Sequence, residues 1–304
     1  MISQLNSRAG ASPKCFVLLA VLLAFTVWAD GAAAVMEDHN PVKRGYVDSR
    51  FGQIHYRMVR PASKQQQSPP LFALHLSPNS GQVFSSFLPL IGADRIAMAP
   101  DYPGYGMSDA IEGEQRIEDY ALAMIDALER LGFEGPVDLL GYHTGAAVAL
   151  EMARINPDLV RKIILVAVPL LTKEERAAGA ALPKIPFDTE GEFAKKEWQS
   201  SWRWRGPGQS EQSVFATFSE KMRPGARERG AQAILAYDIE PVLREAVHPL
   251  MIVRVKDDLW APTLRARDLR PDAKYKELEG YGHGLFHAAP ALMDGLVRSF
   301  LKGD

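Results

Sequence analysis

The sequence predicts an α/β fold, a mostly parallel sheet covered by helices on both faces. Three observations carry this reading. Short, almost wholly apolar runs, of the kind buried on both faces, recur along the chain. Helical patterns alternate with them from Arg116 onward. One stretch, 172–240, breaks the alternation; it is charged, tryptophan-rich and helix-like, and reads as a helical lid inserted over a site.

The elements follow in order. Arg8 and Lys14 precede the apolar segment Cys15–Ala29, and small residues follow it to Val35. That pattern predicts a secretory signal peptide over residues 1–34, cleaved after Ala29 or near Ala33–Ala34. The apolar segment falls short of the roughly 20 residues of a membrane span. The expected product is an exported protein, periplasmic or secreted, with no stable membrane span after cleavage. Cys15, the single cysteine, leaves with the signal, so the mature chain offers no disulfide, thiol nucleophile or thiolate metal site.

Gly45–Pro61 alternates around Phe51-Gly52 and predicts a hairpin. Lys64–Pro70 reads as a polar loop before the buried strand Pro70–Leu76. Asp94–Asp109 is a strand running into a glycine-rich loop. Arg116–Phe133 is an amphipathic helix with Ile117, Tyr120, Ala121, Met124, Leu128 and Leu131 on one stripe. Val137–Tyr142 is a strand that turns straight into the helix Thr144–Ile155. Three further strands are expected within Arg161–Leu171, His248–Asp258 and Ala273–Gly280, and Pro290–Lys302 is a closing helix. The core thus spans 35–171 and 241–304 around the insertion.

Composition narrows the partners. The chain has 304 residues, 47% of them hydrophobic by type, enough for a full core. Its formal net charge is -2, with no nucleic-acid footprint.

The sharpest motif is Gly141-Tyr142-His143-Thr144-Gly145, between a strand and a helix. This is the setting of the nucleophile elbow, G-x-S-x-G, with histidine in the place of serine. The glycines have a physical task there, since a Cβ on either side of so tight a turn would clash.

Other motifs fall in matching order. His75–Pro78 is similar to an H-G-x-P loop. Asp101–Asp109, "DYPGYGMSD", is similar to D-x-P-G-x-G-x-S-D. "DDLWAP" begins at Asp257, and "GYGHG" surrounds His283. From Gly45 to Leu301 the chain resembles the α/β-hydrolase superfamily, in the branch of epoxide hydrolases, dehalogenases and esterases. The resemblance implies an α/β-hydrolase fold and, residue by residue, a site. His143 stands at the nucleophile position and His283 at that of the general base. Asp258 is the acid, because the family's proline four residues on matches Pro262. Asp257 is its rival, and its plain reading is a solvated loop residue. The N–H groups of Ser77 and Thr144 would be the oxyanion donors. Leu76 departs from the family's glycine and would crowd that side.

Histidine at the elbow leaves four readings open. The first is hydrolysis of an ester-like substrate through a His143-Asp258-His283 constellation, with His143 as nucleophile or a histidine activating water. The second is non-hydrolytic acid–base chemistry of the lyase or isomerase type. The third is a metal held by His143, His283 and Asp258. The fourth is a ligand-binding pseudoenzyme. Hydrolysis is the default by resemblance, and the resemblance implies a small-molecule substrate with no metal and no organic cofactor.

Further residues divide into scaffold and candidates. His75, Asp101, Ser108 and Asp109 read as loop scaffolding, and Tyr142 and Tyr281 as packing. His287 follows His283 by four residues but lacks the glutamate of a zinc motif. Trp198 and Trp202 share a helical face. They pack the lid or form an aromatic wall for substrate, with Arg203 or Arg205 meeting a carboxylate. The two histidine rings are expected to face one cavity beneath these tryptophans.

Overall fold

The computed structural model describes residues 40–62, 68–133, 135–182 and 188–303. The expected signal peptide, residues 1–34, lies outside the described residues. Eight strands form one sheet: β1 (Lys43–Ser49), β2 (Gly52–Val59), β3 (Ser68–Leu74), β4 (Arg95–Pro100), β5 (Val137–Tyr142), β6 (Val160–Val166), β7 (Leu250–Val255) and β8 (Lys274–Leu278). Their order is β1-β2-β4-β3-β5-β6-β7-β8. β1 and β2 form the expected antiparallel hairpin, β2 runs antiparallel to β4, and β3 to β8 are mutually parallel.

Strand periodicity builds two cores. Along β3, β5 and β6, Phe72, Leu74, Leu139, Ile163 and Leu165 point to one face, and Leu71, Ala73, Leu140, Ile164 and Val166 to the other. Every residue of β5 and β7 is buried, the signature of strands covered on both sides. The predicted loop before Leu71 is corrected in part: β3 begins at Ser68, paired with Arg95. Its ladder is irregular until Leu71, because Pro69 and Pro70 bring no N–H.

The helices Ile117–Arg130 (α1) and Thr144–Ile155 (α2) pack against the sheet. Ile117, Tyr120, Ala121, Met124 and Leu128 of the predicted stripe are buried. Asp119 accepts a hydrogen bond from the Arg116 N–H and fixes the start of α1. Trp260–Leu269, a helix the sequence reading did not separate, links β7 to β8, and Pro290–Lys302 closes the chain.

Between β6 and β7 stand five helices: Lys173–Ala180 (α3), Glu192–Arg203 (α4), Glu211–Lys221 (α5), Ala226–Ala236 (α6) and Ile239–Glu245 (α7). No strand interrupts them among the described residues. The helical stretch passes the predicted boundary at 240 and ends at Glu245. Side chains cap the starts of three of these helices. Thr172 accepts from the Glu175 N–H, Ser210 from Ser213 and Asp238 from Glu240. Among the described residues, no helix is long and apolar enough to cross a membrane.

Candidate active site

Every expected catalytic side chain lies just beyond the carboxyl end of a parallel strand, where open α/β sheets place ligands. His143 follows β5, Asp257 and Asp258 follow β7, and His283 follows β8. Ser77 lies just past the end of β3.

The elbow is real in its backbone. His143 has φ 53° and ψ −115°, a conformation that a non-glycine residue holds only when its surroundings enforce it. Its N–H is tied to the Val166 carbonyl at 2.9 Å, and its carbonyl accepts from Ala146. A Cβ on Gly145 would lie 2.0 Å from the Leu74 carbonyl oxygen, and one on Gly141 2.3 Å from that of Gly145. The expected clash on both sides is therefore present.

The aspartate roles are split. His283 Nε2 is 2.8 Å from Asp258 Oδ1, the pairing expected for base and acid. His143 Nε2 is 2.9 Å from Asp257 Oδ2. Asp257 is thus not a solvated loop residue. Its side chain is fully buried, while that of Asp258 is 56% exposed. Asp257 also accepts the Leu259 N–H at 2.9 Å, which locks its carboxylate toward the elbow. The two imidazoles lie ring to ring, centroids 4.8 Å apart with planes inclined 33°. No hydrogen bond joins them among the described residues, and the Nδ1 of each has no partner there.

Electrostatics separate the two dyads. Burial pulls the His143 pKa down, but the charge and hydrogen bond of Asp257 more than offset this and raise it. Burial pushes the Asp258 carboxyl up. The hydrogen bond from His283 and the charges of both histidines outweigh that and hold it well below the usual carboxylate range. His143, Asp257, Asp258 and His283 bring potential ligand atoms within 4.8 Å of one another, so among the described residues these four could hold a metal ion.

Both rings face one cavity of about 440 Å³. Leu76, Ser77 and Thr144 line it, as do Lys221, Arg227 and Trp204 from the helical insertion. The Ser77 N–H points to Thr144 Oγ1 at 3.4 Å, so the two expected oxyanion donors adjoin. Leu76 is buried beside them at the cavity wall, and its carbonyl is held by the His75 ring.

The packing reading of Trp198 and Trp202 holds, and their assignment as a substrate-binding wall is corrected. Trp198 and Trp202 do not line the cavity. They pack edge to face on each other at 5.4 Å, Trp198 meets Phe218, and Arg205 stacks on Trp202. Trp204 is the tryptophan at the cavity, 5.2 Å from the His283 ring. It caps the carboxyl end of α4, where the chain leaves helical periodicity, so counting helical faces passes over it. Lys221 was also missed, for no motif surrounds it.

The scaffold residues behave as such. His75 is buried and held down to a pKa of about 4, chiefly by desolvation. Its Nδ1–H donates to the Leu76 carbonyl and its Nε2 accepts from the Tyr102 N–H. Asp101 collects Arg57, His55 and the N–H groups of Gly81 and Met107. Ser108 bonds the Asp101 carbonyl, and Asp109 accepts the Gln53 N–H. Tyr142 is buried against His143 and Phe286, and Tyr281 is partly buried in the same apolar cluster. His287 lies away from the cavity, its Nε2 unpartnered among the described residues.

Comparison with known proteins agrees with this architecture. The model of the alpha/beta hydrolase family matches residues 71–294. A pimeloyl-[acyl-carrier protein] methyl ester esterase of Aromatoleum aromaticum is 24% identical over 257 residues, covering 77% of this chain and 99% of the relative. A pyrrolizixenacetamide deacetylase of Xenorhabdus hominickii is 25% identical, over 71% of this chain and 84% of its own. Among solved structures, an esterase from Rhodococcus superposes with a TM-score of 0.72 at 22% identity, covering 86% of this chain and 98% of its own. An epoxide hydrolase from an endophytic Streptomyces gives 0.71 at 17%, over 88% and 96%. These structural likenesses concern the fold.

Proposed function

We propose that the chain, which belongs to the alpha/beta hydrolase family, hydrolyses a small ester-like substrate by activating water rather than by forming an acyl-enzyme. One observation carries this reading: the elbow residue has a carboxylate of its own, Asp257, and no hydrogen bond to the base. A base that prepares a nucleophile hydrogen-bonds it. Here His283 lies against the elbow ring instead.

The substrate carbonyl oxygen enters toward the N–H groups of Ser77 and Thr144, taking the place of Thr144 Oγ1 at the Ser77 N–H. His283 donates Nε2–H to Asp258 and has its lone pair on Nδ1. That nitrogen takes a proton from water as the water oxygen bonds to the carbonyl carbon. Negative charge collects on the former carbonyl oxygen. Asp257 favours the charged form of His143, which places positive charge beside that oxygen, and the start of α2 adds its partial charge. Collapse breaks the bond to the leaving oxygen, which recovers the proton from His283. Ester and water become acid and alcohol. The helical insertion acts as the lid that closes this space.

The test is turnover of short-acyl esters, lactones and epoxides by the mature protein, with His143→Ala and His283→Ala in parallel. Loss in both variants, with no acyl adduct in quenched wild-type protein, is expected. Retained turnover in His283→Ala refutes the reading, and an acyl group on His143 replaces it with nucleophilic catalysis. A second reading is favoured by the four convergent ligand atoms, a divalent cation that activates the water. It predicts bound metal and activity abolished by chelation, both assayed on the same samples. Export is part of the proposal, and mass spectrometry of the mature N-terminus tests cleavage before residue 35.

A further inference from the structure

The proposed hydrolysis leaves one cation in the cavity without a task. Among the cationic side chains lining it, His143 pairs with Asp257, His283 with Asp258 and Arg227 with buried Glu197. Lys221 has no carboxylate within ion-pair reach among the described residues. Its Nζ donates to Ser201 Oγ at 3.2 Å, across to α4. A lysine in a last helical turn ordinarily serves its own helix's carbonyls and stays in water. This one lines the cavity, half-buried. Its ammonium gives up hydration without gaining an ion-pair partner; burial lowers its pKa, and the charge of Asp258, beyond ion-pair reach, only partly counters that. A bound anion restores the balance.

We propose that Lys221 and Ser201 form an anion subsite, and that the substrate is an ester carrying a second, free carboxylate, as in the half-ester of a dicarboxylic acid. A carboxylate fits better than a phosphate. Two donors, the ammonium and the serine hydroxyl, match its two oxygens. One unpaired positive charge matches one negative charge, and Asp258 in the same cavity opposes a dianion. The ester half of this inference rests on the hydrolytic reading above; the anion subsite has a readout of its own.

The experiment compares monomethyl glutarate with dimethyl glutarate as substrates and measures glutarate binding by calorimetry. Wild type, Lys221→Met and Lys221→Arg are used after their folding is checked by circular dichroism, with Lys221→Gln replacing a methionine variant that fails to fold. Wild type should prefer the half-ester. Lys221→Met should shrink that preference by about tenfold or more, the scale of a charge-assisted hydrogen bond, while Lys221→Arg retains most of it. Glutarate should bind wild type and fail to bind Lys221→Met. If neither ester is cleaved but glutarate binding depends on Lys221, the subsite stands and the hydrolytic reading falls. Equal turnover of both esters by wild type overturns the subsite. So does the absence of glutarate binding, or glutarate binding that ignores Lys221→Met.

Discussion

His143 and His283 stand ring to ring, 4.8 Å between centroids, and each is fastened through Nε2 to a different one of two successive aspartates. Two imidazoles this close disfavour a second positive charge. Asp257 favours the charged form of His143, the ring that carries the positive charge in the proposed mechanism. In the proposed hydrolysis one ring supplies the charge at the elbow and the other serves as the base.

The aspartates should then fail differently. Asp258→Asn removes the acceptor that orients the base, and kcat should fall by roughly 10³–10⁴-fold, as when a triad aspartate is lost. Asp257→Asn leaves the base intact but releases the elbow ring. A loss on the order of 10–100-fold is expected, the scale of a lost orienting partner. In its spectrum of histidine Cε1–H resonances, the His143 titration midpoint should move down relative to wild type. Full activity in Asp257→Asn would count against the role given to His143.

Putting serine at the elbow should change the mechanism rather than abolish it. The backbone at 143 already has the required turn, φ 53° and ψ −115°. His143→Ser places a hydroxyl there and frees space in front of His283. The variant should show a burst of about one equivalent of product and take a phosphonate label at residue 143. Wild type should show neither. A label on wild-type His143 would restore the nucleophile.

Much of this site was legible in the chain because its geometry is local. Gly141 and Gly145 bracket His143 in five residues, and a strand followed at once by a helix leaves one conformation for the turn between. The alternation along β3, β5 and β6 was legible for the same reason. The choice between Asp257 and Asp258 was only half legible. Neighbouring residues after a strand point apart, and the sequence gives no hint that each finds a histidine. Trp204 and Lys221 reach the cavity from the ends of α4 and α5, where helical periodicity stops informing. What covers the site was thus the least readable part.

The elbow glycines predict a sharp contrast in stability. A Cβ on Gly145 meets the Leu74 carbonyl oxygen at 2.0 Å and its carbon at 2.6 Å, both backbone atoms of a central strand. Neither can step aside, so Gly145→Ala should cost about 3 kcal/mol or more in urea unfolding, at the upper end of overpacking costs. Gly295, inside the helix Pro290–Lys302, has nothing within 4 Å of its added Cβ. Gly295→Ala should raise stability by about 0.5–1 kcal/mol, the helical preference for alanine. Equal effects at the two positions would mean that the elbow is looser than its contacts.

Glu220 ties the helical insertion to the loop that carries Ser77. Its carboxyl accepts from the Ser80 N–H, the Ser80 hydroxyl and the Asn79 amide, at the end of the helix whose last residue is Lys221. Burial raises its pKa, and the hydrogen bonds from Ser80 and Asn79 only partly counter that. The folded protein therefore holds this proton more tightly than the unfolded chain does. The resulting stability is fully present below the unfolded carboxyl value of about 4.3 and is lost as pH rises through the raised folded value. Glu220→Gln cannot ionise and should not share that loss. The melting temperature of the variant minus that of wild type should therefore grow as pH rises from about 4 and then level off. A difference that stays flat, or shrinks with rising pH, would show that the carboxylate is already well accommodated in its ionised form. In that case the contact between the insertion and the Ser77 loop is an ordinary hydrogen-bonded anchor with no proton linkage.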